Sequence, residues 1–237
     1  MHLSARAAVT ALLLSALVLT ACAPDVTGAR RVSPEPTASA DSGDDGETPE
    51  PVDDDAPSPP ADLTFAAGAD LEPGAWHAGW DDRLMVADDR FSVSTPDDGN
   101  GAWAYLDGQT LCSVAFYQGA ITDLAMGADD RESTDNMLAA VLTAQIPGVT
   151  GADVTANASD EFVAQTTQEG SVDVRIVGGS GGSAGDEATW SEFGRMFGTL
   201  GTALVVNVEC PAGQDASAEV STLLDEYLGI AVSAASG

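Results

Sequence analysis

The composition of residues 23–62 limits the part of this chain that can form a folded domain. It is dominated by Pro, Asp, Glu, Ser and Thr, and its only large apolar side chains are three valines. Such a segment cannot bury enough apolar surface to offset the conformational entropy that ordering would cost. We therefore predict a disordered, acidic, Pro-rich tether over residues 22–62 and a single folded domain over residues 63–237. When fully extended, the tether would reach about 130 Å.

The N-terminus carries a targeting segment. Arg6 precedes thirteen mostly apolar residues, 7–19, which contain no charged side chain. This run is too short to cross the about 30 Å of bilayer hydrocarbon as a helix, and it is typical of the apolar core of a secretory signal. The pattern predicts a signal peptide over residues 1–21.

Four residues at the end of this run, Leu19-Thr20-Ala21-Cys22, resemble the lipobox of bacterial lipoproteins. The resemblance implies that the thiol of Cys22 receives a diacylglyceryl group and that Cys22 becomes the first residue of the mature chain. Two or more acyl chains hold a protein firmly at a membrane, whereas one chain binds only marginally. The expected location is the extracytoplasmic face of the cell membrane, with Cys22 as the lipid anchor. The alternative is a secreted protein with a chance cysteine at this position.

The net charge restricts the possible partners. The chain has 38 acidic residues and eight basic ones, all arginine, which gives a formal net charge of −30. This charge repels nucleic acids, so no nucleic-acid partner is predicted. The lack of lysine excludes P-loops, Schiff-base lysines and Ser-x-x-Lys nucleophiles. His77 is the only histidine after the predicted signal peptide, and we predict no metal and no cofactor.

Hydrophobic periodicity predicts several short strands in the domain. Their positions are residues 90–95, 102–106, 111–119, 121–126, 161–168, 171–177 and 202–210. In the first of them, Phe91 and Val93 are predicted to point inward. Asp107-Gly108 favours a hairpin turn between the second and the third strand. The glycine-rich residues 178–186 are predicted to form a loop.

Apolar residues at helical spacing predict three helices. They cover residues 133–146, 187–200 and 215–228. Ser133 is the predicted N-cap of the first helix. The apolar stripe of the second helix consists of Trp190, Phe193, Phe197 and Leu200. Together these elements predict an α+β fold, in which a mainly antiparallel sheet packs with two or three helices.

The order of these elements over residues 88–232 is similar to the PsbP/Mog1-like fold. An aromatic strand and a Pro-containing turn precede short strands, an amphipathic helix and antiparallel strands. The best-matching part is residues 204–228, where an apolar strand leads through a proline into a helix. Several small bacterial lipoproteins look like this. The resemblance implies an accessory or ligand-binding module rather than an enzyme.

The predicted domain contains two cysteines, Cys112 and Cys210. Each shares a strand face with apolar residues, so the two thiols could meet in the core, and a signal peptide leads to a compartment that permits oxidation. We predict a disulfide between them. Closing a loop of about 100 residues contributes about 4–5 kcal/mol in the chain-entropy treatment. The alternative is two separate buried thiols.

The sequence carries no convincing catalytic constellation, and we assign no catalytic residue. Residues 178–182, GGSGG, resemble the glycine-serine motif around the nucleophile of chymotrypsin-like proteases but lack its aspartate. The stretch that starts at Asp98 resembles the beginning of a calcium loop, but its twelfth position is Gln109 instead of glutamate, so an EF-hand is excluded. Because acidic residues are so abundant, a carboxylate-based hydrolase stays an alternative.

Three of the four tryptophans, Trp76, Trp80 and Trp103, lie early in the domain. They are predicted either to pack in the core or to line a groove for an apolar ligand. We therefore predict a non-enzymatic binding or accessory module for a small apolar ligand or a cell-envelope partner. The alternatives are the hydrolase and a purely structural surface protein.

Overall fold

The computed structural model describes most of the chain from residue 58 onward. The described residues are 58–87, 89–121, 123–144, 148–183 and 186–235. The predicted signal peptide, Cys22 and the predicted tether up to residue 57 lie outside them. The last residues of the predicted tether already contact the domain, because Asp62 pairs with Ser171 and the carbonyl oxygen of Pro59 accepts a hydrogen bond from Nε2 of Gln168 (2.7 Å).

Ten strands and five helices make up the described ranges. The strands are β1 (Asp62–Leu63), β2 (Trp76–Asp82), β3 (Phe91–Thr95), β4 (Ala102–Asp107), β5 (Ser113–Gly119), β6 (Ser159–Gln165), β7 (Ser171–Ser183), β8 (Asp186–Phe197), β9 (Thr202–Cys210) and β10 (Leu228–Ala234). The helices are α1 (Phe65–Ala69), α2 (Leu84–Ala87), α3 (Asp130–Leu142), α4 (Gly151–Asn157) and α5 (Ala216–Thr222), and a π-helical turn (Leu223–Tyr227) follows α5. Within these ranges, no helix is long and apolar enough to cross a membrane.

All ten strands belong to one curled sheet. Its order is β2-β10-β6-β7-β8-β9-β5-β4-β3, and β1 pairs with the start of β7. The pairs β1–β7 and β6–β10 are parallel, and the other described pairings are antiparallel. With 43% strand and 24% helix, the fold is mostly β: a mixed half-barrel sheet with five helices. A sheet packed with helices is confirmed, whereas the predicted α+β class with two or three helices is corrected.

The sheet curls until β2, at one end, meets β5 and β4 near the other end. The backbone N–H of Trp80 on β2 donates to Oε1 of Gln118 on β5 (3.1 Å), and its indole N–H donates to the carbonyl oxygen of Tyr117 (3.3 Å). Asp82 at the end of β2 accepts a hydrogen bond from the indole N–H of Trp103 on β4 (3.0 Å). Side chains therefore bridge the open seam of the half-barrel.

The inner face of the sheet holds the larger of two cores. Its centre consists of apolar side chains from β7, β8, β9 and β5, all of them buried, including Val174, Phe193, Leu204, Val206 and Phe116. The Trp80 ring meets the rings of Phe116 and Phe193 edge-on, at centroid distances of 6.1 and 5.8 Å. An end strand thus packs directly against the middle of the sheet.

Helices α3 and α4 cover the outer face and enclose a second core. The helices contribute Met137, Leu138, Ala139, Leu142 and Val154, and the sheet contributes Val177, Met196, Ala203 and Val205. Helix α3 begins three residues earlier than predicted, because Asp129 is its N-cap and accepts a hydrogen bond from the backbone N–H of Glu132 (2.8 Å). Ser133 lies inside the helix, so its assignment as the N-cap is wrong.

Residues 187–197 of the segment predicted as a helix over 187–200 belong to strand β8, and residues 198–200 form a turn. Spacings of three and four apolar residues fit a helix, but the backbone of this segment pairs with β7 on one side and with β9 on the other. Gly194 and Gly198 also weaken a helix, since glycine costs about 1 kcal/mol relative to alanine in a helix interior. Long-range pairing therefore overrides the local pattern.

Several other predictions are confirmed or corrected by the strand bounds. Each predicted strand overlaps an observed one, except 121–126, whose described residues form no strand. Residues 178–183, predicted as a loop, continue β7. Val93, predicted to point inward, is 46% exposed because β3 is an edge strand with an irregular register after this residue. The last predicted helix is found as α5 with its π-helical turn, and β10 begins where it ends.

Candidate functional site

Cys112 and Cys210 form the predicted disulfide. Both residues are almost fully buried and lie in the inner core, where the start of β5 meets the end of β9. The bond joins positions 98 residues apart, so a stabilisation of about 4–5 kcal/mol is expected from the chain-entropy treatment. Such a structural disulfide is typical of proteins from oxidising compartments.

The three tryptophans predicted for a ligand groove pack around the inner core. Trp80 is only 9% exposed, and Trp103 stacks on Phe116 with ring centroids 5.1 Å apart. Trp76 packs against the same core while half-buried. Core packing, the other role predicted for these residues, accounts for all three positions.

Most buried acids of the domain are held by arginine. Arg90 pairs with the buried carboxylates of Asp107 and Glu219. Arg175 pairs with Asp135, and Arg195 pairs with Asp130. The N–O distances in these four pairs are 2.6–3.0 Å. Removing a charge from water is costly unless a partner of opposite charge compensates it. These four carboxylates therefore have a structural explanation as arginine partners.

Arg195 is fully buried and joins three parts of the chain. Its Nη2 donates to the carbonyl oxygen of Thr64 (3.1 Å) and to Oδ2 of Asp130 (3.0 Å), and its Nη1 donates to the carbonyl oxygen of Asp173 (3.2 Å). The guanidinium also lies over the ring of Phe65, 4.3 Å from its centroid. Burial lowers the pKa of Arg195 to about 10, at which it still carries its charge at neutral pH.

A pocket of about 210 Å³ lies beside Trp190, between the helix pair α3–α4 and the strands β7 and β8; we call it the Trp190 pocket. Its walls are mainly apolar and consist of Leu142, Val149, Val154, Val177, Gly178 and Trp190, with Asp153 and Asn157 on α4. A methyl group at Gly179 would come within 2.9 Å of the Trp190 ring, so glycine lets the indole lie against β7. Because a dry cavity of about 150 Å³ can hold benzene, the Trp190 pocket has room for a small ring compound.

A second pocket, of about 270 Å³, lies on the other side of α3. It is lined by Ile121, Leu124, Ala139, Thr143 and neighbouring residues, and its described lining contains no aromatic side chain. We place the candidate site at the Trp190 pocket because of the aromatic wall and because of the buried carboxyl beside it.

That carboxyl belongs to Glu192, which is fully buried on the outer face of β8. Glu192 follows Trp190 on the same face of the strand and stands directly opposite Val177 on β7 and Asn207 on β9. Among the described residues, no group makes a hydrogen bond of good geometry to either carboxyl oxygen or to Nδ2 of Asn207, although the Asn207 amide lies close enough to act on the carboxyl. Burial raises the pKa of Glu192 to about 8, and the nearby Asn207 amide offsets only part of this rise. The carboxyl is therefore mostly protonated at neutral pH.

The other candidates from the sequence lie apart from this pocket. His77 is exposed on β2. Oδ1 of Asp97 accepts hydrogen bonds from the backbone N–H groups of Gly99 (2.8 Å) and Gly101 (3.2 Å), so this acidic loop is held by its own backbone. Across the described residues, no group of three or more His, Cys, Asp or Glu side chains is placed to hold a metal ion.

Sequence analysis missed several of these residues because their roles depend on contacts with distant segments. Trp190 and Glu192 were hidden because their segment matches a helical spacing, although Trp190, Glu192 and Gly194 also alternate as a strand requires. Arg175, in the predicted strand 171–177, is buried under α3 against Asp135, and sequence analysis did not identify it. Its position in an apolar strand was the available signal, but the helix that supplies its partner comes from a distant part of the sequence.

No protein-family model matches the chain, and no curated protein matches it either.

Proposed function

We propose that this chain is a lipid-anchored lipoprotein whose domain binds a small apolar ligand in the Trp190 pocket. The observation that carries the proposal is the pocket itself, whose apolar wall includes the half-buried Trp190 ring. Ligand sites in proteins are typically concave and mainly apolar, with a few polar groups that fix orientation. The alternative partner at this surface is a cell-envelope protein.

Two features support an extracytoplasmic location for this module. The lipobox-like residues 19–22 follow an apolar run of signal-peptide length. The disulfide of the inner core is typical of proteins from compartments in which thiols become oxidised. The resemblance to PsbP/Mog1-like lipoproteins stays a prediction, and it agrees with an accessory or binding role.

The ligand can be sought by native mass spectrometry of the full-length protein recovered from its own host. We expect an additional small mass that is lost on denaturation. Asn157→Phe should reduce the bound fraction, because the new ring would fill the pocket from its rim on α4. Ala156→Phe is the matched control, since Ala156 is exposed on the same helix and is not part of the pocket lining. A bare protein mass, or equal loss in both variants, would contradict the proposed site.

The anchor is tested by the denatured mass of the same full-length preparation. We expect a chain that begins at Cys22 and carries a diacylglyceryl group, with or without an additional acyl chain on its amino group. In the Cys22→Ala variant the lipid mass should be absent, because the thiol that accepts it is gone. A chain cleaved at another residue, with an unmodified Cys22 in the wild type, would support the secreted alternative instead.

A further inference from the structure

A buried carboxyl lies next to the Trp190 pocket, although it is not part of the pocket lining. Trp190 and Val177 line the pocket, and Glu192 is the next residue inward on the same sheet face, directly opposite Val177. Its carboxyl oxygens and Nδ2 of Asn207 are buried, and among the described residues neither group makes a hydrogen bond of good geometry. Native proteins seldom leave buried polar groups unsatisfied, and each such group needs an explanation. The Asn207 amide is close enough to act on the carboxyl, but it leaves most of the carboxyl's hydrogen-bonding positions unfilled, and a ligand in the adjacent pocket would be placed to fill them.

The charge around the pocket selects the kind of ligand. The only charged side chain in its described lining is Asp153, which accepts hydrogen bonds from the hydroxyl and the backbone N–H of Thr150. These bonds lower the pKa of Asp153 and keep it charged. The domain carries 27 acidic residues against five arginines, so its field attracts cations and repels anions.

We propose that the Trp190 pocket takes a small apolar molecule with one amine, and that its ammonium group displaces the proton of the buried Glu192 carboxyl. This inference rests on the pocket of the proposed function and adds its ligand class. The apolar part of the ligand contacts Leu142, Val154 and Trp190, and the ammonium pairs with the newly formed carboxylate. The Asn207 side chain, opposite Glu192, offers its oxygen to one of the ammonium hydrogens.

The exchange conserves atoms and charge. An ammonium ion enters, the neutral carboxyl becomes a carboxylate, and one proton leaves to the solvent. Because the pKa of Glu192 is raised to about 8 by burial, the carboxyl holds this proton below that pH and releases it on binding. Affinity for the amine should therefore rise about tenfold per pH unit up to about pH 8 and then level off.

Other charged groups on the surrounding elements are already engaged or lie at the surface. Arg175 on β7 is paired with Asp135 of α3 and with Asp160. Glu209 on β9 is exposed opposite Trp190, and Asp153 on α4 is exposed at the pocket. The hydroxyl of Tyr117 on β5 donates to the carbonyl oxygen of Ala120 (2.8 Å). Glu192 is thus the buried group that can exchange its proton for a cation.

The test is isothermal titration calorimetry of the full-length protein with benzylammonium and with benzyl alcohol, two probes of nearly equal size. Titrations in buffers of different ionisation enthalpy, at about pH 6 and about pH 8, count the protons released. We expect benzylammonium to bind with release of about one proton at the lower pH and to bind more tightly at the higher pH. Benzyl alcohol should bind without proton release.

Glu192→Gln should abolish the proton release and the pH dependence while benzyl alcohol still binds. Glu187→Gln, an exposed carboxyl on the same strand, should behave as the wild type. Binding of both probes to the wild type with equal affinity and no proton release would overturn the amine assignment and leave the pocket as an apolar site. Proton release that persists in Glu192→Gln would also overturn it. If neither probe binds, the Trp190 pocket fails as a ligand site altogether.

Discussion

Glu192→Gln is expected to raise the free energy of unfolding at pH 8 by about 4 kcal/mol and to have little effect below pH 4.5. Glutamine has nearly the shape of protonated glutamic acid, so the packing on the outer face is kept. The variant cannot ionise, so its folding is not coupled to the uptake of a proton, which destabilises the folded wild type above pH 4.5. Urea unfolding of the full-length protein across this pH range measures the difference.

The sign follows from the two pKa values of the carboxyl. In the unfolded chain Glu192 titrates at its ordinary value of 4.5, and in the folded protein its pKa is raised to about 8 by burial. Below pH 4.5 both the folded and the unfolded chain hold the proton, so Glu192 does not destabilise the folded protein. Between these values only the folded state binds the proton, and the free energy of unfolding of the wild type falls as the pH rises. Above pH 8 the loss is complete.

Glu187→Gln is the matched control for this prediction. Glu187 lies on β8 like Glu192, but its side chain is exposed. Surface substitutions of this kind usually change stability by no more than about 0.5 kcal/mol. Parallel pH profiles of the wild type and Glu192→Gln would contradict the assignment of a buried, neutral carboxyl.

The second large effect is expected at Arg195. Arg195→Met should lower the free energy of unfolding by about 3–5 kcal/mol at neutral pH, because it leaves the buried carboxylate of Asp130 without its cation. Asp130 would keep one hydrogen bond, from the backbone N–H of Gly198 (2.9 Å). The carbonyl oxygens of Thr64 and Asp173 would each lose a donor. Denaturant unfolding of wild type and variant measures the change.

Arg131→Met provides the comparison at the surface. Arg131 pairs with Asp160 at 2.8 Å, but both side chains are about half exposed, at 49% and 51%. Water screens such a pair, and its loss should cost no more than about 1 kcal/mol. An Arg195→Met variant as stable as Arg131→Met would show that Arg195 does not compensate the buried acid.

Local patterns in the sequence predicted much of the sheet. Strands such as β4, β5 and β9 have strong alternation or long apolar runs, and the second half of α3 has apolar residues at helical spacing, so local periodicity was enough to identify them. The same holds for the disulfide, since Cys112 and Cys210 each lie in an apolar strand pattern. In these elements, the pattern of apolar residues along the chain is enough to show which side chains are buried.

The features that the sequence did not predict depend on contacts between distant segments. Strand β8 has the apolar spacing of a helix, and only its pairing with β7 and β9 decides between the two. The Trp190 pocket needs α4, whose capping box of Thr150 and Asp153 follows a loop far from β8 in sequence. The raised pKa of Glu192 results from burial by all the elements that cover it. A single glutamate among many acidic residues gives no local signal of burial.

The most direct test of this account is a titration of the Glu192 side-chain carboxyl by ¹³C NMR. The full-length protein is labelled at glutamate carboxyls, and the Glu192 signal is identified by its absence in Glu192→Gln. We predict a titration midpoint near pH 8, since burial without a partner raises the pKa to about that value. A midpoint near the ordinary value of 4.5 would mean that water or a cation already reaches the carboxyl. It would contradict both the stability prediction and the proton exchange proposed for the ligand.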